Sequence, residues 1–106
     1  MLAMSTIAPL SLLSAVVPLG SLVEGWTLEE GSGQRSFRHS VTFERRFSTT
    51  PVVHLGIVGL DASKMDNLRV RVRAEDITAH GFTIVAETWL HTKLWAVDVS
   101  WLAIGN

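Results

Sequence analysis

The 106-residue chain contains no cysteine. No disulfide can staple it, and no thiolate is available as a nucleophile or a metal ligand. Net charge is almost absent too: 9 Lys+Arg stand against 10 Asp+Glu, a formal charge of −1. A balance this even creates no strong field to gather nucleic acid or an acidic membrane, so partners held mainly by charge are excluded. Charged residues make up only 18% of the chain, and Met1 to Val23 has none, Glu24 being the first. Internal repeats and low-complexity stretches are also missing. Apolar side chains are plentiful, at 47% of residues, which argues against disorder. The length fits one domain. A domain of this size buries roughly two thirds of its unfolded surface, so part of the apolar excess is expected to face another chain.

The uncharged segment has several readings. A secretory signal peptide wants Lys or Arg ahead of its apolar run, and MLAMST offers neither. A membrane-spanning helix needs about 20 apolar residues. Here Pro9 and Pro18 leave only LSLLSAVV between them. The segment could also be a plain extra strand or helix of the domain. The expectation adopted is an arm: residues 1–23 serve assembly or anchoring, packed on a neighbouring subunit or a larger particle, and residues 24–106 form the folded domain. Deleting residues 1–22 should then leave that domain folded.

EEGSGQRS (Glu29 to Ser36) is polar and glycine-rich and reads as a loop. Five strand-like runs follow. In Phe37–Phe47, Phe37, His39, Val41 and Phe43 alternate with polar residues, a period of two. The run PVVHLGIVGL from Pro51 is nearly all apolar, which suggests a strand buried on both faces, in the sandwich or at a subunit contact. After the loop DASKMDN, Leu68, Val70, Val72 and Ala74 point one way and Arg69, Arg71, Arg73 and Glu75 the other. FTIVAETW sets Phe82, Ile84 and Ala86 against Val85, Glu87 and Trp89. LWAVDVSWLA groups Trp95, Val97, Val99, Trp101 and Ala103, with Asp98 and Ser100 facing away. A further strand near Trp26 would make six. Short, evenly spaced strands without helical periodicity predict an all-β, antiparallel sandwich.

Three arginines on one strand face need opposing charge. Glu87 and Asp98 both point away from the aliphatic core, so Arg71, Arg73, Glu87 and Asp98 are expected as a ladder at a subunit interface. A solvated stripe is the plainer alternative, and a ligand site along the whole row a third. Arg69 is set apart because it stands at the loop end of its strand. Trp89 and Trp95 flank the connection LHTK at one end of the sandwich. An indole can cover the C–H face of a sugar while arginine holds its hydroxyls, so Arg69 with Trp89 or Trp95 is a candidate sugar site. By parity Trp95 could equally belong to the core with Trp101. His39, His54, His80 and His91 have no metal-ligand spacing; His54, in an apolar strand, reads as interior, and His91 as a surface residue within reach of a ligand. No nucleophile elbow, phosphate loop or positioned acid–base pair occurs, so neither a cofactor nor catalysis is expected.

Taken in order, FRHSVTF, PVVHLGIVGLD, NLRVRVRAEDIT, GFTIVAETW, TWLHTKLW and VSWLAI resemble the H-type lectin domain family over about Trp26 to Ile104. The resemblance implies a six-stranded antiparallel sandwich assembled as a trimer, sometimes stacked into hexamers. It implies galactose- or N-acetylgalactosamine-type sugars bound at clefts between subunits, and hence glycans on cell surfaces as partners. Arg69 matches the family's sugar-contacting arginine, Trp89 the tryptophan that opens the site turn, and Trp95 a sugar-stacking aromatic. Where the family can place a histidine directly after that tryptophan, this chain has Leu90, with His91 one position later. The place of a hydroxyl-binding aspartate falls near Ser32, with Glu29 or Glu30 as substitutes. An extracellular or particle-surface location would follow. A second expectation is a structural or adhesive component of a phage-like virion, docked through the N-terminal arm.

Overall fold

The structure, a computed structural model, describes residues 10–106. Six strands follow in chain order: β1 (Ser11–Gly20), β2 (Arg35–Thr42), β3 (Val52–Ala62), β4 (Arg71–Glu75), β5 (Gly81–Thr88) and β6 (Leu94–Gly105). They form two three-stranded sheets, β1-β6-β3 and β2-β5-β4, and every neighbouring pair is antiparallel.

The period-two patterns decide which side chains enter the space between the sheets. From β5, Phe82, Ile84 and Ala86 are buried; from β6, Val97, Val99, Trp101 and Ala103. On β2, residues 35, 37, 39 and 41 face the same space but are only half-buried, because that strand lies at an edge. Phe43, Phe47, Phe82 and Trp101 form an aromatic group at one end, with ring centroids 5.2 to 5.8 Å apart in tilted and edge-on arrangements that suit ring quadrupoles. Trp26 and Phe37, 5.2 Å apart, stand at the other end.

Two expectations are corrected. Ser11–Gly20, expected within a separate arm, is strand β1, paired with β6 over ten positions from Ser11↔Gly105 to Gly20↔Ala96. Leu19 is 2% exposed and belongs to the core. Pro18 is tolerated because β1 is an edge strand, where one missing N–H breaks no inner ladder. The expectation for residues 1–9 lies outside the described residues. The sixth strand is therefore β1, and Trp26 sits in a turn, buried, with its indole N–H donating to the Leu94 carbonyl at 3.0 Å.

The apolar run after Pro51 is an edge strand, and His54 on it is exposed rather than interior. The cross-strand rows Leu12–Ile104–Val52 and Ser14–Leu102–His54 lie on the outer face of that sheet. Leu12, Val16 and Val52 are 57%, 59% and 73% exposed there, so the apolar excess stands largely on one face.

Candidate functional site

Strand directions bring the end of β1, the start of β2, the end of β3, the start of β4, the end of β5 and the start of β6 to one end of the sandwich. The connections 21–34, 63–70 and 89–93 meet there. The first and the last are tied by Arg35, a residue the strand periodicity did not single out. Its Nε donates to the Gly33 carbonyl at 3.0 Å, and Nη1 to Leu28 and Glu30 at 3.2 and 2.7 Å. Nη2 donates to Leu90 and Thr92 at 3.0 and 2.9 Å. A planar fork of five donors fits such a set of carbonyls, which one ammonium could not span. Backbone bonds reinforce the knot: Gly33 N–H to Leu90 at 2.8 Å, Leu94 N–H to Leu28 at 3.0 Å and Ser63 N–H to Lys93 at 2.9 Å. Lys93 Nζ also donates to the Gly31 carbonyl. The turn is tight enough to hold Leu90 at φ 55°, a sparsely used region for a non-glycine residue.

Arg69 stands where this end meets β4. Its Nη1 donates to Thr92 Oγ1 at 3.2 Å, and Thr92 Oγ1 donates to the Asn67 carbonyl at 2.6 Å. Thr88 Oγ1 donates to the Arg69 carbonyl at 2.5 Å. Thr88 and Thr92 are both buried, so the backbone and base of Arg69 are fixed while the residue remains partly open. Neither threonine was singled out from sequence as a support. Trp89 is half-buried, with the Arg71 guanidinium carbon 4.9 Å from its ring centroid, a cation–π contact. His91 and Ser32 are exposed, each on a connection that Arg35 holds.

Trp95 is 44% exposed although parity places it with the buried Val97. The β3–β6 register explains this: Asp61 pairs with Ala96 and Ala62 with Leu94, so Trp95 is the extra residue of a β-bulge. Leu94 fills the interior instead, at 0% exposure. The structure thus joins Arg69 to the 88–92 turn and Arg71 to Trp89. It places Trp95 on the other sheet, beside the end of β1, where its carbonyl accepts from Ser21 N–H at 2.9 Å.

The expected charge ladder is divided. Arg73 Nη1 and Arg71 Nη1 lie 2.5 and 3.4 Å from Glu87 Oε1, and Gln34 Nε2 donates to Glu87 Oε2 at 2.9 Å. These charges pair within one chain and need no second subunit. Asp98 is corrected as their partner: it lies on β6, on the outer face of the opposite sheet, across from Gly59 and Pro18. Parity gave its side of the strand but not its sheet. At the far end of the ladder Glu75 binds Arg38 at 2.8 Å and Arg73 at 2.6 Å. Hydrogen bonds from Arg38 and then Arg73 hold the Glu75 carboxyl below its usual range. Those to Glu87 and then Glu75 raise the Arg73 guanidinium above its own.

This end therefore offers guanidinium and amide donors, hydroxyls and two accessible indoles on a rigid base. That set suits a neutral, hydroxyl-rich ligand with an apolar face. Among the described residues no His/Asp/Glu group is arranged to hold a metal ion, and no helix is long and apolar enough to cross a membrane. A hollow lined by Ser11, Leu12, Leu13, Arg45, Arg46 and Phe47 opens at the opposite end and involves none of these residues.

The sequence profile of the H-type lectin domain matches residues 38–104. A Fuscovulum blasticum protein described as ATP synthase subunits region ORF 7 is 40% identical over 83 residues, 78% of this chain and 72% of that protein. One of the discoidin-1 polypeptides of Dictyostelium discoideum is 30% identical over 94 residues, 85% of this chain and 37% of the discoidin. The fold matches recombinant discoidin II of Dictyostelium discoideum with a TM-score of 0.84 at 24% identity, covering 99% of this chain and 41% of that one. The chain thus spans about two fifths of the discoidins it matches. It belongs to the H-type lectin domain family. These matches do not favour a virion component.

Proposed function

We propose that the chain is a non-enzymatic glycan-binding module whose site lies at the end tied together by Arg35. Arg69 would donate to sugar hydroxyls, Trp89 and Trp95 would offer apolar faces to ring C–H groups, and His91 and Ser32 would stand at the rim. The observation that carries this reading is Arg69, anchored through Thr92 and Thr88 on the turn that Trp89 opens. Given the family match, galactose- or N-acetylgalactosamine-type sugars are the class to test first, as displayed on cell surfaces and met outside the cell.

A single shallow site of this kind binds at about millimolar strength, near −4 kcal/mol. Repetition on an oligomer raises avidity by about 10² or more. The outer face of β1-β6-β3, with Leu12, Val16 and Val52 exposed, supports self-association through apolar burial. A trimer or hexamer would then set sites near subunit boundaries, and the indole of Trp95, on that sheet, would reach across to a neighbour's turn.

The test is a glycan array read with the intact protein, its mass measured by light scattering in the same buffer. Binding confined to one sugar class by an oligomer supports the proposal. A protein that retains no glycan at millimolar concentration refutes it.

A further inference from the structure

Glu87 is 5% exposed on the outer side of its sheet, a position where a carboxylate is costly unless fully paired. Its three partners lead in two directions. Arg71, 3.4 Å away, carries its guanidinium over the Trp89 ring at 4.9 Å. Gln34, bonded at 2.9 Å, belongs to the connection that bears Ser32 and is pinned at Gly33 to the Leu90 carbonyl. Arg73, at 2.5 Å, is itself held by Glu75 and fixes the carboxylate from behind. Glu87 and Arg71 are direct cross-strand partners, and Trp89 lies two residues beyond Glu87 on the same side.

We infer that Glu87 is a positioning residue for glycan recognition: through Arg71 it sets the plane of the Trp89 indole, and through Gln34 it sets the Ser32 connection. The inference rests on the glycan-binding reading. Arg71 is 62% exposed and would swing freely without an anchor. A guanidinium tied at one side to a fixed carboxylate occupies a narrow range over the ring, which reduces the ordering that ligand binding must otherwise supply. Arg71 also covers one face of the indole, so a sugar meets the remaining face or edge, and Glu87 thereby decides which surface of Trp89 is offered.

The experiment labels the full chain with 5-fluorotryptophan and follows the four tryptophans by 19F NMR, Trp89 being assigned with Trp89→Phe. Glu87→Gln keeps size and one acceptor oxygen but removes the charge and turns the second acceptor into a donor. It should shift the Trp89 resonance while Trp26, Trp95 and Trp101 hold theirs, which a general loss of stability would not do. Titration with N-acetylgalactosamine and with galactose should show affinity weakened roughly tenfold, the scale of one charge-assisted hydrogen bond. Arg71→Ala should reproduce both effects, and adding it to Glu87→Gln should cost little more. If Glu87→Gln does not fold, Arg71→Ala at its exposed position carries the same test. A Trp89 resonance unmoved by these variants, or unchanged affinity, overturns the role. A wild-type protein blind to both sugars, with the Trp89 shift intact, places the failure in the glycan reading instead.

Discussion

Replacing Arg35, which is half-buried, with alanine should loosen the binding end far more than removing an exposed charge. Five carbonyls lose their guanidinium donor: Gly33, Leu28, Glu30, Leu90 and Thr92. The bonds to Gly33, Glu30 and Leu90 are exposed, so water replaces them at small cost. Those to Leu28 and Thr92 are partly buried. A bond from a charged donor is worth about 1.5–3 kcal/mol, and Leu28 keeps a second partner in Leu94 N–H. The net loss should be about 2–3 kcal/mol. For a domain of this size that lowers Tm by roughly 10–20 °C. Arg35→Lys should recover only part, because one ammonium reaches a fraction of the carbonyls. The assay is thermal unfolding by circular dichroism, with hydrogen exchange at Gly33 and Leu94. Their amides should exchange much faster while those of Val97 and Val99 keep most of their protection. A Tm change under about 3 °C, or uniform exchange across the chain, would refute the view that this one side chain ties the 21–34 connection to the 89–93 turn.

Other outcomes follow from the same contacts. Deleting residues 1–20 removes β1, its ten cross-strand pairs and the buried Leu19; the loss should exceed the roughly 5–15 kcal/mol that a domain has in reserve, giving an unfolded or aggregated chain. A folded deletion product by NMR would restore the detachable arm. Gly81→Ala would drive a Cβ into the Val41 carbonyl oxygen, pushing β2 from β5; urea unfolding should show a loss of about 1–3 kcal/mol. Glu75 has a folded-state value depressed below its ordinary 4.5. Its stabilising effect is therefore present above that pH and lost as pH falls through the folded value. Glu75→Gln should flatten the Tm profile below about pH 4.5, and an unchanged acid limb would contradict the pairing.

Four of the six strands were legible because they alternate cleanly: the arginine face of β4 and the valine–tryptophan face of β6 can be assigned without coordinates. β1 was harder to recognise. It has no charged residue to mark an outer side, and its proline reads as a break until the strand is known to be at an edge. Trp26 reads as a strand residue because it is apolar and isolated, yet it is anchored by one indole hydrogen bond in a turn. Trp95 escapes parity through a bulge, which depends on the neighbouring strand's register. Asp98 reads as a partner of the arginines because alternation tells inside from outside but not which sheet a strand joins. At the site, Arg69 and Trp89 were legible as chemistry. Arg35, Thr88 and Thr92 were not, since residues that bind backbone carbonyls follow no periodicity.

The central claim is that glycans bind at the Arg69 end of the sandwich. The most direct measurement is a titration of the intact protein with a multivalent galactose-type glycan, comparing Arg69→Ala with Arg46→Ala at the opposite end. Loss of binding in Arg69→Ala, with binding by Arg46→Ala unchanged and both variants still folded, is the predicted result. Equal binding by the two variants would contradict it.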